Sequence, residues 1–209
     1  MNRSAGFTMI EMLVSLAILI LLATVILSSH TNFTNSIILS NTAYDVALSM
    51  HDAESYGIGS RGYGSTINTG YGLYFSMATP TTYLFFADTD PNHCSGTDPR
   101  CKPGDGQYTP NDALISTYHL GAGISVSKLC GVTNLNSTIC SNGSGAVLDI
   151  VFTRPNPNPS LYFFPGGPFG YVLVSTCAVL SSQGGTYWYV SVSQTGLISV
   201  SGTAPAACS

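Results

Sequence analysis

The sequence predicts an α+β fold in which one long N-terminal helix packs on an antiparallel β-sheet. No glycine occurs between Gly6 and Gly57, and no proline precedes Pro80. Either residue would interrupt a helix, glycine through backbone freedom and proline through its missing N–H. One helix from Phe7 to about Tyr56 is therefore expected. Beyond Gly72 the apolar period changes to two, in short runs rich in β-branched and aromatic residues, which is the pattern of half-buried strands. No crossover helices are visible between those runs, so the sheet is expected to be antiparallel.

Taken in order, the chain opens with a polar leader, residues 1–6, that runs into Phe7-Thr8-Met9-Ile10-Glu11 and an apolar stretch reaching Leu27. From Met12 to Leu27 the polar side chains are Ser15 and Thr24 alone. Residues 7–27 thus approach the ~20 residues that carry a helix across a bilayer's hydrocarbon core. Glu11 is the exception. An ionised acid at the centre of such a helix costs roughly 2.5–3.5 kcal/mol on insertion scales, and one turn inside the helix that cost is softened but not removed. No Lys or Arg lies between Ser4 and Ser60, so the partner of Glu11 must come from elsewhere.

The segment Gly6-Phe7-Thr8-Met9-Ile10-Glu11-Met12-Leu13-Val14-Ser15-Leu16-Ala17-Ile18-Leu19 resembles the processing site and membrane helix of type IV prepilins and their pseudopilin relatives. The resemblance implies cleavage after Gly6 by a prepilin peptidase and methylation of the new amino group on Phe7. It also implies pairing of Glu11 with the amino terminus of a neighbouring subunit. An α-amino group is largely charged at neutral pH, and it exists at Phe7 only after cleavage, so processing would create the cation that the acid requires. Partners implied are other pilin or pseudopilin subunits, an inner-membrane assembly platform and membrane lipid. The implied location is the cytoplasmic (inner) membrane, crossed once, with the C-terminal domain exported and, after assembly, a periplasmic or extracellular filament. An ordinary secretory signal peptide fits less well. Its apolar core is usually ~7–15 residues and ends at a small-x-small site, which does not follow here.

Residues 28–56 are expected to continue the helix, with Phe33, Ile37, Tyr44, Ala47 and Leu48 on one stripe facing a core. Many pilins carry a proline near Ser28 and Ser29, and its absence here argues for a straighter helix. Residues 57–209 are expected to form the β-rich domain. From Gly57 to Gly72 a Gly-, Ser- and Thr-rich connector follows the helix. Its Gly57-x-Gly59-x-x-Gly62 run lacks the strand-before, helix-after context of a dinucleotide fingerprint. Candidate strands are Tyr71–Met77, Thr82–Ala87, Leu114–Leu120, Ile124–Lys128, Ala146–Thr153, Tyr171–Val179, Tyr187–Ser193 and Leu197–Ser201. The tract Pro155-Asn156-Pro157-Asn158-Pro159 is read as a surface loop, because proline cannot donate to a ladder.

Charged residues make up 8 % of the chain and the net charge is −4, against ~25 % charged residues in average soluble chains. Affinity for nucleic acid or anionic lipid needs clustered cations, and Arg61, Arg100, Lys102, Lys128 and Arg154 are scattered. Six cysteines, all beyond the apolar segment, fit an exported domain in an oxidising compartment. Short separations favour Cys94 with Cys101 and Cys130 with Cys140, leaving Cys177 for Cys208. Zinc is disfavoured, since structural sites use tighter cysteine pairs.

Asp88-x-Asp90-x-Asn92 matches the first three ligand positions of a calcium loop, and some pseudopilins bind calcium in a comparable loop. The match then breaks, with His93 where the turn wants glycine and Pro99 where the closing Glu should stand. A solvated loop running to Asp112 and tied by a disulfide is the favoured expectation, with no cofactor, and calcium the alternative. His30, His51, His93 and His119 are dispersed, so no catalytic constellation is expected, and His51 is read as a core histidine. Tyr83, Phe85, Phe86, Tyr162, Phe163, Phe164 and Trp188 are read as sheet packing. The expected role is that of a structural filament subunit of a type IV pilus or a type II secretion pseudopilus. The layout most resembles minor pilins and minor pseudopilins. The alternative is a binding module, a minor pilin whose loops meet a surface or DNA.

Overall fold

The structure, a computed structural model, describes residues 7–59, 61–64, 68–90, 104–121, 123–167 and 170–208, and for 27–33 the backbone alone. One helix, α1 (Met9–Ile58), accounts for the first 50 described helical residues and is roughly 75 Å long at 1.5 Å per residue. The Thr8 hydroxyl caps its start by accepting the Glu11 N–H at 3.4 Å, and the Gly59 N–H closes its end on the Ser55 carbonyl at 3.0 Å. Polar side chains within the apolar half are satisfied locally. Ser15 and Thr24 donate to the carbonyls of Glu11 and Leu21, which leaves neither donor open on this apolar surface.

Ten strands follow: β1 (Gly70–Ser76), β2 (Thr82–Asp88), β3 (Ala113–His119), β4 (Ile124–Thr133), β5 (Thr138–Ser141), β6 (Ala146–Thr153), β7 (Asn156–Pro165), β8 (Tyr171–Ser182), β9 (Tyr187–Ser193) and β10 (Ile198–Ser201). Their order is β10-β9-β8-β7-β6-β1-β2-β3, with β4 pairing β8 and β5. Each of these pairings is antiparallel. Strand β8 is the junction of the sheet. It meets β7 only at Tyr171 and Val172, then from Leu173 onward pairs with β4 and from Ser175 with β9. Two disulfides lie around this junction. Cys130 and Cys140 are bonded directly across the β4–β5 ladder, and Cys177 on β8 holds Cys208 in the terminal 3₁₀ turn.

The C-terminal half of α1 packs on one sheet face through Leu39, Ala43, Val46, Met50 and Ala53, all fully buried. This corrects the expected stripe. At about 100° per residue the buried face is centred roughly 130° round the helix from the one anticipated. Ala47 is buried, whereas Ile37, Tyr44 and Leu48 stay exposed. The side chain of Phe33 lies outside the described residues. Ala43, Ala47 and Ala53 on the buried face let the helix approach the sheet, and Tyr44 remains at its flank, its ring 6.0 Å from Trp188. The closest approach is at Gly57, where any Cβ would overlap the Phe152 carbonyl. His51 is also corrected. It lies on the exposed side, with Nδ1 3.2 Å from Glu54 Oε2.

The proline tract is a further correction, since residues 156–159 belong to β7. The regular ladder to β6 runs from Ser160 to Pro165, and a bulge separates it from the Thr153–Asn156 pair. Pro157 and Pro159 fall in that interruption, where the missing N–H costs no ladder bond. Strand β5, Thr-Ile-Cys-Ser, escaped the sequence reading because it carries one aliphatic residue and so shows no apolar alternation. Of the expected packing aromatics, Phe86 and Phe163 are fully buried and Tyr83 and Phe85 nearly so, with the Tyr83 hydroxyl bonded to Ser49 on α1 at 2.9 Å. Tyr162, Phe164 and Trp188 are half-buried.

Candidate functional site

The described part of the N-terminal segment begins at Phe7, so Gly6 lies outside it. From Phe7 to Ile26 every side chain is exposed. Within that stretch Met9–Ile26 has a mean hydropathy of 2.7 and none of it is covered by the domain. A surface this apolar in water is unfavourable by about 25 cal/mol for each Å² left uncovered, so lipid or other helices must take it. Glu11 stands in the first helical turn. There the unpaired N–H groups give the helix end a partial positive charge that favours an anion. Its carboxylate has no ion pair or side-chain hydrogen bond among the described residues. Phe7 is 81 % exposed and stands one turn before it, so an amino group at Phe7 and the Glu11 carboxylate would occupy the same end of the same helix.

Residues 1–27 match the family described as the prokaryotic N-terminal methylation motif. The chain carries a type IV prepilin-type N-terminus. The matched stretch is the leader and the apolar half of α1, so it speaks for that segment and leaves the sheet domain to its own geometry. It points to a structural subunit rather than an enzyme. The exposed apolar helix with this motif fits a membrane-anchored protein carrying an exported domain. No curated protein and no solved structure matches the chain.

The acidic stretch after β2 is the second place where chemistry gathers. Its described second half, 104–112, does not stand in solvent as expected but lies on the outer sheet face, opposite α1. Tyr108 covers the fully buried Phe86 ring, with centroids 5.1 Å apart, and stacks near Tyr74 at 4.7 Å. Buried aspartates tie this segment down. Asp88 accepts the N–H groups of Asp105 at 3.1 Å and Gly106 at 2.8 Å. Asp149, from the middle of β6, accepts the Tyr108 N–H at 3.1 Å. Asp112 accepts from the N–H groups of Thr89, Asp90 and Thr109. Gly104 packs so closely on the Asp88 carboxylate that no side chain would fit.

Calcium was the alternative expectation for Asp88, Asp90 and Asn92. Asn92 lies outside the described residues, as do Cys94 and Cys101. The carboxylates of Asp88 and Asp90 are directed at donors of the protein itself, the latter at the Thr109 hydroxyl and the Asn111 amide, 3.0 and 3.1 Å away. Among the described residues no group of three His, Cys, Asp or Glu side chains is placed to hold a metal. Burial pushes Asp88 up to about 7, helped by the like charges of Asp112 and Asp105 and opposed by the Gly106 and Asp105 N–H groups. Burial likewise holds Asp149 well above the ordinary carboxylate range, against the Tyr108 N–H, with Asp105, Asp88 and Asp112 adding repulsion. The sequence did carry a signal for Asp149: a lone acid inside the apolar run Ala146-Val147-Leu148-Asp149-Ile150-Val151-Phe152. A charge in such a strand needs donors from another segment.

Proposed function

We propose that the chain is a structural subunit of a type IV pilus or type II secretion pseudopilus. It is held in the inner membrane by residues 7–27 and exports its sheet domain. A prepilin peptidase cleaves it after Gly6 and methylates Phe7, and an inner-membrane platform then assembles it with other subunits through α1. The observation that carries this reading is Glu11: an acid without an ion pair among the described residues, one turn into an otherwise uncovered apolar helix, within a prepilin-type motif. Placed in lipid alone it is costly, and paired with the Phe7 amino group of an adjacent copy it gains a charge-assisted contact in a low-dielectric setting. Assembly then lowers the energy of a residue that the isolated membrane form strains to hold. Two disulfides in the domain support export, because such bonds persist in oxidising compartments.

The test is Glu11→Leu. Membrane insertion and processing at Gly6 should continue, and incorporation into filaments should fall sharply. Filaments assembled at the wild-type level would overturn the pairing argument.

A further inference from the structure

We propose that the fork between β7 and β8 is a binding site for a small carboxylate-bearing ligand, held by Arg154. The two strands pair only at Tyr162 with Val172 and Phe163 with Tyr171. Toward the start of β7 they part, because β8 turns to β4 at Leu173 and to β9 at Ser175. The space between them is a cavity of about 330 Å³, at the lower end of the ~300–1,000 Å³ of small-molecule sites. Its floor is apolar, with Leu161 and Leu173, and its rim carries Arg154, Asn156, Asn158 and Gln194, with no acid in the lining among the described residues. The turn between β9 and β10 meets β7 beside the fork, where the Cβ position of Gly196 is 3.3 Å from the Pro157 carbonyl oxygen and 3.8 Å from Glu54 Oε1 at the end of α1.

Among the described residues Arg154 is the cation left over. Among the described residues Arg61 lies 4.1 Å over the Tyr56 ring and Lys128 donates to the Cys208 carbonyl at 3.3 Å. The Arg154 side chain has no ion pair or hydrogen bond among them. Arg154 and Pro155 are the two residues joining β6 to β7 between the paired Thr153 and Asn156, and a residue before proline is biased away from the helical region. The Arg154 side chain is exposed, and the planar fork of a guanidinium matches a carboxylate with two parallel hydrogen bonds. One cation neutralises one charge, which favours a carboxylate over a doubly charged phosphate. Asn156 uses its carbonyl to accept the Asn158 N–H at 3.1 Å, which leaves its NH₂ as a donor to the ligand body.

The position suits capture. Phe152, two residues before Arg154, packs on Gly57 at the end of α1. From Ile26 that end is roughly 46 Å along the helix at 1.5 Å per residue, so the fork opens at the membrane-distal end of the domain. Two sources share this ligand chemistry, the C-terminal carboxylate of an extended peptide and an acidic sugar.

The experiment uses the full processed chain in nanodiscs of zwitterionic lipid, titrated with three probes and followed by saturation-transfer NMR. The probes are trialanine, its C-terminal amide, and galacturonate. Saturable binding of trialanine or of galacturonate, weakened at least tenfold by Arg154→Ala and by the bulkier charge-removing Arg154→Gln, supports the site and identifies the source. Absence of saturation with both acids up to 10 mM would overturn it. So would amide binding as tight as the free acid, or affinity unchanged in both variants.

Discussion

Removing the charge of Asp88 should reverse the order of stability between the wild type and its variant as pH rises. The carboxyl sits at about 7 in the folded chain because it is buried beside other acids, against roughly 3.9 when unfolded. A group whose pKa is raised on folding contributes stability that is complete below the unfolded value and lost as pH climbs through the folded one. Over that interval, between about pH 4 and pH 8, the loss amounts to about 4 kcal/mol. Asp88→Asn does not titrate, so it escapes this loss. It has a cost of its own, since one of the N–H groups of Asp105 and Gly106 now faces an amide NH₂, worth about 1–3 kcal/mol at any pH. The variant should therefore be the less stable protein at pH 4 and the more stable at pH 8. Urea unfolding of the detergent-solubilised full chain, followed by near-ultraviolet circular dichroism, measures both curves. A stability difference that stays constant with pH, or that moves to favour the wild type at high pH, would refute the reasoning.

Replacement of Gly57 by alanine should cost about 1–3 kcal/mol as an overpacking defect, although glycine to alanine within a helix normally gains about 1 kcal/mol. The added Cβ meets the Phe152 backbone, which cannot move aside, whereas Gly167→Ala, with open space around it, should be neutral in the same denaturant titration. Loss of the Cys177–Cys208 bond by a double alanine substitution should lower stability by about 4 kcal/mol on the chain-entropy account, and loss of Cys130–Cys140 by about 3, because the first closes 31 residues and the second 10. Equal midpoints for the two double variants and the wild type would contradict that ordering.

What could be read from the chain before its structure depended on how local the cause was. The helix was legible because nothing between Phe7 and Tyr56 interrupts it, and most strands because alternation is written in consecutive residues. The direction in which α1 faces was not. Leu39, Val46 and Met50 make one apolar stripe and Ile37, Tyr44 and Leu48 another, and only the shape of the sheet selects between them. Pro157 and Pro159 misled for a similar reason, since a bulge set by β6 excuses their missing donors. The aspartate ties of the 104–112 segment join residues as far apart as Tyr108 and Asp149, a pairing that no spacing rule contains. Glu11 needed no fold at all, because its cost follows from its neighbours in sequence.

That residue also points to the most direct measurement, the intact mass of the mature protein extracted from the membrane. The account predicts a chain that starts at Phe7, has lost Met1 to Gly6 and carries one added methyl group on its terminal amine. A mass that retains the first six residues, or one that lacks the whole apolar segment, would contradict it.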